Sequence, residues 1–198
     1  MARDMGPVLK KCRSLGIEPQ YLGIDKKSNR NPKRSRGKLS EYGLQLREKQ
    51  KAKFIYGVLE KPFRNYFDKA SKLRHGTTGE NLIISLELRL DNIVFRLGFG
   101  RTRKEARQIV DHKHISVNGK TVNIPSYSVK EGDIIEIREK YRSAQRYKDI
   151  LEVTEGRAVP EWLEVDYENL KGVVKEIPSR DIIDVPVDEM LIVELYSK

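Results

Sequence analysis

Cysteine is all but absent: Cys12 stands alone in the 198 residues, so no internal disulfide can form and a thiolate-rich zinc site would lack its ligands. Long apolar runs are missing as well. Nowhere do about 18 apolar residues follow one another, the length a membrane-spanning helix needs, and the opening MARDMGPVLKK has no apolar stretch of the kind a signal peptide carries. The expectation is a soluble, cytoplasmic chain with no membrane partner. Hydrophobic residues make up only 38%; exchanging Tyr for Gly to match the usual tally leaves roughly 40%, below the about 45 to 50% of ordinary globular domains. Much of the chain is therefore surface, arm or interface.

Chemistry-bearing clusters are scarce too. His112 and His114 flank Lys113 at an i, i+2 spacing, which on a helix points them to different sides, and His75 is isolated in a polar loop. Gly98 and Gly100 give a GFG that follows a helical pattern and lacks the third glycine of a dinucleotide fingerprint. Carboxylates are dense from Glu152 onward, but no spacing among them singles out an acid and a base. No catalytic residue, metal ligand or cofactor is assigned, and the chain is not read as an enzyme.

What is abundant is positive charge, unevenly spread. Lys and Arg number 39 against 29 Asp and Glu, for a net charge of +10, which favours a polyanionic partner. Residues 1–80 carry 20 basic and 8 acidic side chains, whereas residues 152–198 carry 5 and 12. Within residues 26–38 lie Lys26, Lys27, Arg30, Lys33, Arg34, Arg36 and Lys38, with no acid and no apolar anchor. Such a stretch cannot fold on its own. It is either a solvated tail or an arm that orders on phosphates, the second because clustered cations release condensed counterions when they neutralise a nucleic acid backbone. In the acidic tail, Asp184, Asp188 and Glu189 read as a solvated edge or as a face for a basic protein partner, and Trp162 as a packed residue.

After Leu39, good helix formers mix with apolar residues and suggest two helices broken near Gly57, with Pro62 in the first turn of the second. Leu59, Phe63 and Tyr66 or Phe67 share one face and read as core. The Arg47, Lys49, Gln50 and Lys53 side of the first helix has no evident packing role and is assigned to RNA. From Leu90 a further helix with Val94 and Leu97 on its face is stopped by Gly98 and Gly100. Thr102 with Glu105 makes a capping box that opens the next helix, whose inner face is Ala106, Ile109 and Val110. Thr102, Arg101, Arg103, Lys104, Arg107 and Lys113 are expected to face RNA from this helix or its ends, with its N-terminal dipole favouring phosphate. After His114 the pattern alternates through Ile115, Val117, Asn118-Gly119, Val122 and Ile124, a hairpin with a type I′ turn, and GDIIEI adds a strand.

This order is similar to the S-four RNA-binding module, or αL motif, on the residues Arg89-Leu90-Asp91, LGFGRTRKEARQIV and ISVNGKTV. Two short helices around a Gly turn also fit a DNA-binding helix-turn-helix, but the hairpin that follows at once weighs against it. The flanks SEYGLQLREKQKAKFIYGVLE, RLDNIVFRLGFG, EWLEVD and LIVELYSK extend the likeness over nearly the whole chain, to the ribosomal protein S-four family of bacterial small subunits. That resemblance implies an α+β fold with a helical domain, an inserted α/β domain holding the RNA-binding module, and a basic N-terminal arm. Its bounds here would be 1–41 for the arm, 42–88 completed by 187–198 for the helical domain, and 89–186 for the α/β domain, the module spanning about 89–151. It further implies a primary binder of small-subunit rRNA that nucleates assembly and contributes to translational accuracy through contact with protein S-five. A separate reading, a repressor of its own translation acting on an mRNA, would use the same binding surface and is compatible with the first. Some family members hold zinc with four N-terminal cysteines, which this chain, with Cys12 alone, does not match. An RNA-modifying enzyme carrying the same module would need a further catalytic domain, for which no residues remain.

Overall fold

The computed structural model describes residues 6–26, 30 and 39–197. In chain order these form α1 (Val8–Leu15), a 3-10 turn (Pro19–Leu22), α2 (Glu41–Tyr56), α3 (Glu60–Ala70), α4 (Thr78–Glu87), α5 (Leu90–Arg96), α6 (Arg103–Asp111), β1 (Ile115–Val117), β2 (Lys120–Val122), β3 (Ile134–Ile137), α7 (Glu139–Arg142), α8 (Gln145–Thr154), β4 (Leu163–Asp166), β5 (Lys171–Val174), a 3-10 turn (Arg180–Ile182) and α9 (Glu189–Tyr196). The class is α+β. The chain divides into two compact units, Met1–Ile83 with Asp184–Lys198, and Ile84–Ile183.

In the first unit, Ser40 caps α2 by accepting from the Gly43 N–H at 3.1 Å, and α2 ends where Gly57 takes a left-handed φ of +63°, a conformation that costs a residue without Cβ little. Ile55, Phe63, Ala52 and Ile192 are fully buried, so α2, α3 and α9 share one core. Phe63 is core as its spacing predicts, but Leu59 is 40% exposed. Gln45, at an apparently polar position, is fully buried; its Nε2 donates to Glu194 on α9 at 3.0 Å. Asp188 caps α9, its carboxylate accepting from the N–H groups of Met190 and Leu191. Helix α1 corrects the expectation that residues 1–41 are all arm. Val8, Cys12 and Leu15 recur at helical spacing, Cys12 and Ile17 are buried, and the Arg47 guanidinium holds the end of α1 by donating to the Leu15 carbonyl at 3.2 Å.

In the second unit, five antiparallel strands follow the order β2-β1-β3-β5-β4. Asn118 and Gly119 have φ of +49° and +76°, the paired positive values of a type I′ turn, whose twist matches that of the strands. Asn118 Nδ2 also donates to Asp133 at 2.8 Å, and its Oδ1 accepts from the Ile134 N–H at 2.9 Å, so the turn side chain fixes where β3 starts. Leu90, Ile93, Leu97, Phe99, Ile109 and Ile135 are fully buried, with Trp162 at 1% exposure. Helices α5 and α6 meet closely because Gly100 has no side chain: a Cβ there would lie 2.9 Å from the Ala106 nitrogen.

Candidate RNA interface

The basic face of the second unit starts at the N-terminus of α6. The Thr102 hydroxyl accepts from the Glu105 N–H at 3.2 Å, half of the expected capping box. Glu105 turns instead to Arg101, accepting from its backbone N–H at 3.0 Å and from its guanidinium at 3.1 and 3.0 Å. Burial by itself would raise the Glu105 carboxyl, but the hydrogen bonds from Arg101 and the charge of Arg146 outweigh it and lower it. The helix end therefore already holds a carboxylate, paired with Arg101 and Arg146, so a phosphate expected at its dipole would share that end with Glu105.

The cations named from the sequence separate into two groups. Arg101 is 48% exposed, and Lys104 and Lys113 are exposed; Lys113 takes a left-handed φ of +61° just past the end of α6. Arg103 does not face outward as expected. It is 8% exposed, donates to Asn92 Oδ1 at 2.9 Å and lies over the Phe95 ring at 4.3 Å. Arg107 is 20% exposed and pairs with Asp91 at 3.6 Å, while Arg89 grips the same carboxylate at 2.6 Å. Asn92 in turn donates to Glu87 at 2.6 Å, which Arg96 holds at 2.9 Å. This buried network ties α5 to α6 and gives Arg89-Leu90-Asp91-Asn92 a structural role. A buried charge stripped of its partner would be costly.

Sequence reasoning missed the run Arg138, Lys140, Arg142, Arg146 and Lys148, although its density of cations within residues 138–148 was a usable signal. Arg138 donates to the Lys113 carbonyl at 3.1 Å, so this run adjoins the end of α6. Arg142 and Arg146 pair with Glu136 and Glu105 at 2.9 and 3.4 Å. His114 sits among these groups, its pKa lowered by burial first and then by Arg146, His112, Lys140 and Arg138.

The first unit carries its own cations, and the expectation that Arg47, Lys49 and Lys53 have no packing role is corrected. Arg47 is engaged with α1, and Lys49 and Lys53 both pair with Glu60, at 2.9 and 2.7 Å. Gln50 is half-buried. Lys26 and Arg30 are exposed; Lys27, Lys33, Arg34, Arg36 and Lys38 lie outside the described residues. On the acidic side, Asp184 is exposed, Asp188 is the cap of α9, and Glu189 packs so closely on Gly79 that a Cβ there would be 2.7 Å from Glu189 Cγ. Among the described residues no three His, Cys, Asp or Glu side chains gather where they could hold a metal ion, and no helix is long and apolar enough to cross a membrane.

Comparison with known proteins bears on the same two stretches. Residues 3–87 match the family model described as the ribosomal protein S4/S9 N-terminal domain, and residues 88–135 match the S4 domain. End to end, the chain is 77% identical over 198 residues to the small ribosomal subunit protein uS4 of Lachnoclostridium phytofermentans, covering all of both chains. This chain belongs to the uS4 family. Its likeness to the uS4 protein of Lachnospira eligens is 72% over 198 residues, and to that of Desulforamulus reducens 52% over 209, again covering both chains completely. Within the family's S4 domain fall α5, α6, the hairpin and the start of β3. The cationic run 138–148 and Arg157 lie beyond the matched 88–135, on the same folded unit.

Proposed function

We propose that this chain is a structural protein of the small ribosomal subunit that binds small-subunit rRNA and catalyses no reaction. The observation that carries the reading is identity over the full length of both chains with proteins named uS4. The geometry agrees in kind: Arg101, Lys104 and Lys113 stand at the ends and outer side of α6, and Arg138 and Lys140 continue the positive surface. Residues 26–38 would add a second electrostatic contact through Lys26, Lys27, Arg30, Lys33, Arg34, Arg36 and Lys38. Recognition would be of backbone and shape, because A-form grooves hide most of the base sequence.

Several finer roles belong to the same proposal. Early binding would nucleate subunit assembly, and a contact of Asp184 and Glu189 with protein S-five would tune decoding accuracy. Binding of an mRNA by the same cationic surface would make the chain its own translational repressor. The test is filter binding of the purified protein to small-subunit rRNA against an unrelated RNA of equal length, joined to sedimentation of the tagged protein from cells. Selective binding and co-sedimentation with small subunits are expected; equal affinity for both RNAs, or sedimentation as free protein, would refute the reading.

A further inference from the structure

We propose that Tyr141 is a stacking site for one unpaired base of the bound RNA. This rests on the reading of the chain as an rRNA binder and adds to its cationic contacts one made by a ring. The site is assembled in three layers. At its base, Tyr147 is 1% exposed, and its hydroxyl lies 2.7 Å from His114 Nδ1, which fixes the imidazole plane. Tyr141 lies on that imidazole with 3.8 Å between ring centroids and 6° between planes. A ring so close and so nearly parallel fills one face of Tyr141. Lys140 Nζ, 4.6 Å from the Tyr141 centroid, must therefore sit over the other.

That cover is the kind most easily exchanged. Lys140 is exposed, its side chain is long, and an exposed cation over a ring is only weakly held there. A base entering there would meet a pile whose plane is set before binding, so little ordering cost falls on the complex. The displaced ammonium would stay within reach of the phosphate that follows the base. Neighbouring charge favours the same ligand: Arg138 links the pile to Lys113 at 3.1 Å, and of the acids near it Glu136 and Glu105 are engaged by Arg142 and Arg146, leaving exposed Glu139 against the cations Arg138, Lys140 and Lys113. His114 is held toward its neutral form by burial and by the surrounding cations, so the pile adds no charge of its own. Stacking accepts any base, because every base has a π-face.

The experiment titrates full-length protein with small-subunit rRNA across a salt series. Tyr141→Phe, which keeps the ring, should bind as wild type. Tyr141→Leu, which keeps bulk and loses the ring, should bind about tenfold more weakly, with the salt slope unchanged because no phosphate contact is lost. In Tyr141→Trp the new fluorescence, after subtraction of the Trp162 signal, should be quenched by RNA. Wild-type affinity in Tyr141→Leu, loss of affinity in Tyr141→Phe, a shallower salt slope in Tyr141→Leu, or unquenched Trp emission would each overturn the proposal while leaving the rRNA reading in place. Failure of the wild-type protein to bind the rRNA would instead sink that reading, and this one with it.

Discussion

The guanidinium of Arg157 donates to the carbonyl oxygen of Arg101 at 2.9 Å, across 56 residues of chain. It also reaches the carbonyl oxygens of Phe95 and Gly100 at 3.4 and 3.3 Å and lies over the Phe95 ring at 4.5 Å, the ring that Arg103 also covers. From the same stretch of chain, the Thr154 hydroxyl donates to the Gly98 carbonyl at 2.8 Å. The turn from Gly98 to Arg101, which presents the cation just ahead of α6, is thus held by residues beyond the stretch 88–135 that matches the S4 domain.

Arg157→Gln should therefore weaken rRNA binding several-fold while leaving the salt slope as it is, since the lost partners are carbonyls and not phosphates. Arg157→Lys keeps the charge and loses the fork, and should be nearly as weak. Affinity restored fully by lysine would show that charge alone matters at this position.

For α6 itself, the informative substitutions are Arg101→Glu, Lys104→Glu and Lys113→Glu together. All three side chains are exposed; Arg101→Glu gives up the pairing with Glu105 at one helix end, so circular dichroism should stay close to that of wild type while rRNA affinity collapses. Arg103→Glu should behave differently, placing a carboxylate in a buried site beside Asn92 and lowering stability by about 3 kcal/mol or more. Thermal melts of the two variants separate these effects; an unchanged melting temperature in Arg103→Glu would contradict its buried placement.

Glu60 gives the first unit a pH dependence. Burial by itself would raise this carboxyl, but hydrogen bonds from Lys49, Lys53 and Tyr196 outweigh it and lower it to about 2. A group depressed in the folded state contributes stability above its unfolded value of about 4.3 and loses it as pH falls toward about 2. Because Glu60 is 49% exposed, solvent screening keeps the contribution to about 1 kcal/mol or less. Chemical denaturation from about pH 5 to about pH 2 should show a shallower decline in Glu60→Gln than in wild type; parallel declines would remove Glu60 from the account.

Asp188→Ala removes the cap of α9 and should cost about 1 kcal/mol, whatever its partners. Asp184→Lys leaves that cap intact and is the cleaner probe of the acidic face. It should change stop-codon readthrough in cells with rRNA affinity unaltered, whereas a loss of rRNA affinity without a readthrough effect would reverse the assignment.

The basic stretch calls for deletion of residues 26–38 alone. Removing everything before residue 41 would also take Cys12 and Ile17, both buried. Each phosphate neutralised contributes roughly 0.7 to 0.9 to the slope of log K against log salt, so loss of seven cations should flatten it by several units. Equal slopes for both proteins would make the stretch a solvated tail.

Local chemistry was legible in the sequence because it acts over a few residues. Asn118-Gly119 called for positive φ and a hairpin, Gly57 for the end of α2, Thr102 for the start of α6, and the spacing of Leu90, Val94 and Leu97 for a buried face; the Lys and Arg excess marked a polyanion's partner. Helix α1 was obscured by the basic stretch that follows it. Which cations face solvent was decided only by tertiary structure. Arg103 turns inward because Asn92 and Phe95 offer its guanidinium an acceptor and a ring from another helix, Arg47 because the end of α1 leaves a carbonyl within reach, and Lys49 and Lys53 because α3 brings Glu60 between them. The layers of Tyr147, His114 and Tyr141 likewise join residues from α8, the loop before β1 and α7. A side chain's charge is a property of its residue, but its partner is a property of the fold.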